Sequence, residues 1–106
     1  MTAPEQMGFR ALADPTRRSI LQLLANEDMT IAEVAENFDM TRAAVKKHLS
    51  ILSEGNLISV RTEGRTRLNA LNADGLKRLF DWFGYFDAFW DSRLDKLKSE
   101  IEKDIQ

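Results

Sequence analysis

Cysteine is absent from the 106 residues. Disulfides, thiolate metal ligands, cysteine nucleophiles and thiol redox sensing are therefore excluded. A single histidine, His48, allows no pairing with a second one, no nucleophile–base–orienter set is apparent, and no glycine-rich phosphate loop is present. An enzyme is not expected. No uninterrupted apolar run approaches membrane-spanning length, and the N-terminus lacks the basic-then-apolar order of a signal peptide, so a cytoplasmic protein with no membrane partner is expected. Only two prolines, no low-complexity run and 43% hydrophobic residues argue for an ordered chain, with fraying expected only at the extreme N-terminus. At this length residues 1–106 make one folding unit with one core.

Excess positive charge is also lacking, since the net charge is −2, but the average hides its distribution. Residues 1–40 carry three basic and seven acidic side chains, residues 41–73 six and two, and residues 74–106 six and eight. Only the middle third is net positive, a local footprint of the kind that phosphate contacts need.

That third contains the stretch around which the chain is organised. Over residues 30–54 two helical patterns meet with almost nothing between them: Ile31, Val34, Ala35 and Phe38 line one face, then Val45, Leu49 and Leu52 line another. Asp39 and Met40 read as the turn, and Thr41 is placed to cap the second helix with its hydroxyl. Opposite the second apolar stripe lie Arg42, Ala43, Lys46, Lys47 and Ser50, with no carboxylate until Glu54. Such a face approaches phosphates without repulsion. The bland alternative is a helical hairpin whose solvated face is basic.

Upstream, Met7, Phe9 and Leu12 mark a short helix over residues 5–13 that must dock on something, being too short to stand alone. Asp14-Pro15 opens the next helix, Asp14 as cap and proline at the first helical position, with Ile20, Leu21, Leu23 and Leu24 inward and Arg17 and Arg18 outside or near a partner helix. Downstream, Gly55-Asn56 stops a helix and the period changes. Residues 57–71 read as a β-hairpin turning at Gly64, with Arg61, Arg65 and Arg67 crowded around the turn. A basic helix followed by such a hairpin is a wing arrangement, the helix for the major groove and the hairpin for adjacent backbone or minor groove. Taken alone, the arginines equally make a solubilising edge.

The last pattern, residues 74–105, carries Phe83, Phe86, Trp90, Leu94 and Leu97 among its apolar positions. At about 1.5 Å per residue it would be about 45 Å long and overhang its own domain. An overhanging apolar stripe needs a partner, most simply a second copy. Gly84 is a point at which this helix could bend or divide, and the sequence leaves its continuity open. The aromatics are core material, partly between subunits, with a small-molecule pocket among Trp82, Tyr85, Phe86 and Trp90 as the alternative.

Several strings together resemble a known family: Leu12-Ala13-Asp14-Pro15-Thr16-Arg17-Arg18 with Ile20-Leu21, Met40-Thr41-Arg42 through Val45, Lys47-His48-Leu49, Glu54-Gly55 to Leu57-Ile58, and Glu63-Gly64-Arg65 with Arg67-Leu68. They are similar to the ArsR/SmtB family of bacterial winged-helix repressors, from about Phe9 to about Leu97, and Phe89-Trp90-Asp91-Ser92-Arg93-Leu94-Asp95 looks like its branch without metal sites. The resemblance implies a winged helix-turn-helix, mostly α with a small hairpin, forming a homodimer through its first and last helices. It implies an inverted-repeat operator in double-stranded DNA and repression by promoter occlusion. Thr41, Arg42, Ala43, Lys46 and Lys47 match the part of the motif that faces DNA, His48 its recognition-helix histidine, and Gly64 and Arg65 its wing tip. Phe9, Leu12, Phe83, Phe86, Trp90, Leu94 and Leu97 are the expected dimer seam.

Two departures stand out. The stretches where metal-sensing members place cysteines or histidines contain neither here, and Asp81, Asp87, Asp91 and Asp95 read as a solvated face, so no metal or other cofactor is expected. Asn69 replaces an aromatic common in the wing's return strand, which is expected to loosen the hairpin. The functional expectation is a sequence-specific DNA-binding regulator, acting as a repressor, in which Arg42 reads guanine, Lys46 and Lys47 touch base or phosphate, and Arg61, Arg65 and Arg67 hold backbone or minor groove. A small-molecule effector remains unidentified. The alternative, from another class, is a protein-interaction module that uses the aromatic last helix on the same scaffold.

Overall fold

Helix starts in this chain are written in short polar side chains. The computed structural model describes residues 4–105 and orders them as α1 (Pro4–Leu12), α2 (Pro15–Asn26), α3 (Ile31–Ala35), α4 (Arg42–Glu54), β1 (Ile58–Glu63), β2 (Thr66–Leu71), α5 (Ala73–Trp82), a 3₁₀ turn (Phe83–Phe86) and α6 (Asp87–Ile105). The fraying expected at the extreme N-terminus lies outside those residues. Asp14 caps α2 by accepting from the Arg17 backbone N–H at 3.0 Å, a bond that lowers its carboxyl pKa below the ordinary value. Thr30 and Glu33 form a reciprocal capping box on α3. Thr41 accepts from Ala44 N–H at 3.1 Å on α4, and Asn72 from Gly75 N–H at 3.4 Å on α5. Because Thr41 caps α4, Thr41→Ala should cost about 1 kcal/mol, seen as a lower urea midpoint at unchanged slope.

The core is one cluster. Ile20, Leu21 and Leu24 of α2 pack with Val34 of α3, Val45, Leu49 and Leu52 of α4, Leu57 and Ile58 entering β1, Ala11 of α1 and Leu79 of α5. The apolar stripes read from the sequence thus converge from five helices.

The helix-turn-helix turn is longer than Asp39 and Met40. Helix α3 ends at Ala35, and Asn37 and Phe38 donate backbone bonds to Val34 and Ala35, each at 3.1 Å. Bonds to the residue three back tighten the last turn. The apolar spacing persists through Phe38, which packs on the core although it lies beyond the helix.

Helix α4 ends in a Schellman motif. Asn56 takes φ 62°, Leu57 N–H donates to Leu52 O and Asn56 N–H to Ser53 O, both at 3.0 Å. Asn72 then ties this cap to α5: its Nδ2 donates to Asn56 O at 2.9 Å, and its backbone N–H to Leu57 O at 2.8 Å.

Strands β1 and β2 pair antiparallel from Ile58↔Leu71 to Glu63↔Thr66. The two-residue connection Gly64-Arg65 has φ +62° at glycine, the first central position. Positive φ there matches the hand of turn that follows the strand twist.

Asn69 does not loosen the hairpin. It is the one buried polar residue among those described. Its Nδ2 donates to Met29 O at 3.1 Å, while the two residues exchange backbone bonds of 3.0 and 2.8 Å in a β-bridge. An amide supplies there a donor that an aromatic ring lacks, joining the return strand to the α2–α3 connection.

The last helical pattern is divided where Gly84 sits, by the 3₁₀ turn Phe83–Phe86. At the break Phe9 of α1 meets Trp82 and Phe83 edge to face, with centroids 5.7 and 6.3 Å apart. Beyond it α6 is exposed along its described length. The chain is accordingly elongated, 65 × 35 × 23 Å with a radius of gyration of 18.8 Å, against about 13 Å for a compact chain of this size.

Candidate nucleic-acid interface

Burying Val45, Leu49 and Leu52 fixes the rotation of α4, so that Thr41, Arg42, Ala43, Lys46, Lys47 and Ser50 are all exposed. Beside that face stands the hairpin. Lys46, Leu49, Ser50 and Ser53 of α4 and Ile58, Val60, Arg67 and Asn69 of the hairpin line a common cleft of about 240 Å³, with Ile31 at its edge. Helix and wing therefore present one surface, with Lys46 and Arg67 both lining it. Gly64 and Arg65 form the exposed tip.

Two expected contact residues are placed differently. Arg61 is not a free cation: its guanidinium pairs with Asp28 and donates from Nε to Glu63 at 3.1 Å. Asp28 first, and Glu63 second, hold it protonated even more firmly than usual. Because Asp28 lies on the α2–α3 connection, the pairing braces the wing against the body, and the single guanidinium is spent on two carboxylates. His48 is half-buried on the flank of α4, where Arg17 Nη1 stands 3.4 Å from its Nδ1. It is not on the outward face with Lys46 and Lys47.

Ser53 and Asp28 were missed from sequence. Ser53 follows Lys46 by seven residues and Ser50 by three, a helical spacing that would have found it. Asp28 pairs across 33 positions, and no local pattern announces that.

The dimer-seam candidates divide in two. Phe9 and Leu12 are half-buried, whereas Phe83, Phe86, Trp90, Leu94 and Leu97 are exposed. The aromatic pocket envisaged among Trp82, Tyr85, Phe86 and Trp90 does not form as such. Trp82 and Phe86 pack on each other with centroids 5.4 Å apart, Tyr85 is 84% exposed, and the nearby cleft is lined by Phe80, Asp81, Phe83, Gly84, Asp87 and Trp90. Among the described residues no group of three or more histidine, aspartate or glutamate side chains gathers as a metal site, and no helix is long and apolar enough to cross a membrane.

A helix-turn-helix whose second helix is basic and exposed, followed by a hairpin sharing its surface, defines a winged helix-turn-helix regulator of transcription. Residues 12–61 match the family model described as a helix-turn-helix domain. The chain is 38% identical over 74 residues to the transcriptional repressor SdpR of Bacillus subtilis, covering 70% of this chain and 82% of the relative. Its fold is similar to the crystal structure of the ArsR family transcriptional regulator RHA00566, with a TM-score of 0.75 at 30% identity over 84% of this chain and 98% of the other. It is also similar, with a TM-score of 0.62 at 28% identity, to the homodimeric winged helix-turn-helix DNA-binding domain Mb0332 of Mycobacterium bovis, over 74% and 72% of the two chains. The chain belongs to the ArsR family of DNA-binding transcriptional regulators.

Proposed function

We propose that the protein is a homodimeric repressor that binds an inverted-repeat operator. Residues 1–106 act as one winged helix-turn-helix unit, with residues 30–54 as the reading motif, 57–71 as the wing, and 5–13 with 74–105 as the pairing helices. Each protomer lays α4 in the major groove. Arg42, at the exposed start of the helix, reaches a guanine edge. Thr41, Ala43, Lys46, Lys47 and Ser50 line the groove contact, with His48 at its flank, while Arg65 beside Gly64, and Arg67, hold phosphate or minor groove. Arg61 serves the wing rather than the DNA. The observation that carries this reading is the cleft that joins Lys46 and Arg67 beside an exposed cationic helix face.

Pairing along the last helix is supported by its apolar stripe, in which Trp90, Leu94, Leu97 and Ile101 recur at four, three and four residues and are all exposed. It is supported too by Mb0332, which is described as homodimeric. That the relatives regulate transcription favours the DNA reading over a protein-interaction module. The cytoplasm is where such a protein acts. An effector, if one exists, is not a metal held in the manner of the metal-sensing members.

Footprinting on the DNA upstream of the gene tests the reading. Arg42→Ala should relax preference at one position per half-site at a cost of about 1–3 kcal/mol. If specific and mixed-sequence duplexes weakened alike, Arg42 would not be reading a base. A dimer neutralising roughly six to ten phosphates should lose about 10³ to 10⁵ in affinity between 50 and 200 mM salt. A flat response would remove phosphate contact from the account.

A further inference from the structure

Arg17 belongs to neither the reading face nor the expected pairing seam, yet its side chain is among the most engaged in the molecule. Its Nε donates to Ala11 O at 2.8 Å and its Nη2 to Arg10 O at 3.1 Å, the latter a carbonyl that also accepts from Ala13 N–H at 3.2 Å, so the guanidinium clamps the end of α1. The remaining arm, Nη1, lies 3.4 Å from Nδ1 of His48 on α4. A guanidinium has donors and no acceptor, so Nδ1 must offer its lone pair. A hydrogen bond in this contact requires the proton of the neutral ring to sit on Nε2. Among the described residues Nε2 has no protein partner, and no buried polar side-chain atom is left without one, so this N–H reaches solvent.

From this geometry we infer that Arg17 is a positioning residue for DNA binding: from the end of α1 it fixes the rotation of the His48 ring, so that the Nε2–H is presented as a neutral donor to a phosphate oxygen at the flank of α4. The inference rests on the DNA reading above. It explains why a histidine set off the outward face still belongs to the interface. It also ties a helix proposed to pair the two subunits directly to the helix proposed to read DNA.

Two measurements on the full-length protein separate this inference from the DNA reading itself. The first uses no DNA. His48 is the only histidine, so a long-range ¹H–¹⁵N spectrum at alkaline pH contains one ring. The expected pattern is protonated Nε2 with an Nδ1 resonance that shifts in Arg17→Lys and Arg17→Met. Protonated Nδ1, or ring signals identical in wild type and both variants, overturns the inference.

The second titrates a mixed-sequence duplex at low salt. His48→Ala and Arg17→Met should each weaken binding by about threefold to tenfold per protomer in contact, the worth of one hydrogen bond, and Arg17→Met should have little further effect in a His48→Ala background. The dependence of log affinity on log salt should keep its slope in Arg17→Met, because Arg17 itself touches no phosphate. An undiminished Arg17 effect without His48, or a slope reduced by about one phosphate per protomer, overturns the inference. Arg17→Lys guards against misfolding, keeping the charge while giving up the forked geometry, and should weaken binding as the methionine variant does. If wild type bound no duplex, the DNA reading would fall, and the ring spectrum would still decide whether Arg17 orients His48.

Discussion

The double variant Leu94→Asp, Leu97→Asp should elute as a monomer and bind its operator about 10² to 10⁴ times more weakly than wild type, the range by which linking two binding modules exceeds either alone. Both side chains lie on α6, 62% and 53% exposed. Neither contributes to the core, which is built from residues 11 to 79. The substitutions therefore remove only what the stripe offers to a second copy, and each carboxylate would face its counterpart or apolar surface across the seam. Sedimentation at several concentrations reads the assembly, and a gel shift with one and two half-sites reads the binding. The monomer should bind one half-site almost as well as wild type binds that same half-site. If the variant still sedimented as a dimer, α6 would not be the pairing element.

Gly75→Ala should be the most destabilising single methyl in the chain. A Cβ at that position would stand 1.8 Å from the backbone oxygen of Asn56, where no side-chain rotation relieves the clash. That same oxygen accepts from Asn72, so moving it opens the bond between the cap of α4 and the start of α5. Overpacking of this kind costs roughly 3 kcal/mol, a fall of about 12 °C or more in Tm for a chain of this size. Since pairing makes Tm depend on concentration, the comparison belongs at one fixed protein concentration. A fall of less than about 1 kcal/mol would mean that the α4–α5 junction yields easily.

Much of this fold was legible in the sequence, and what was not shares one physical cause. The helices, the hairpin and the basic face follow from spacing and from local signals: Asp14-Pro15, Thr41, Gly55-Asn56 and Gly64 each act within a few residues of themselves. Gly84 marked a point where the last helix could bend or divide, but its own residues left continuity open, and the structure divides the helix there. The interactions that escaped are those whose partner lies far along the chain. Arg61 looked like one more cation at a wing tip, because Asp28, which pairs with it, is 33 residues away. Asn69 looked like a loss, because the Met29 carbonyl that it serves is 40 residues away. Arg17 was expected outside or near a partner helix, and the sequence could not say which; the end of α1 and the flank of α4 lie on either side of it. Period reveals which face is apolar; it says nothing about which polar group will find which.

The exposed C-terminal helix has a consequence for how the protein responds to its own abundance. Most of a helix's stability in a protein comes from packing of its apolar face, and α6 receives none from the domain that carries it. With the proposed pairing, scarce chains would leave α6 less ordered and open to proteases, whereas plentiful chains would zip it together. Ordering of the tail would then be written by the number of molecules present, so that scarcity would both disarm the regulator and hasten its removal.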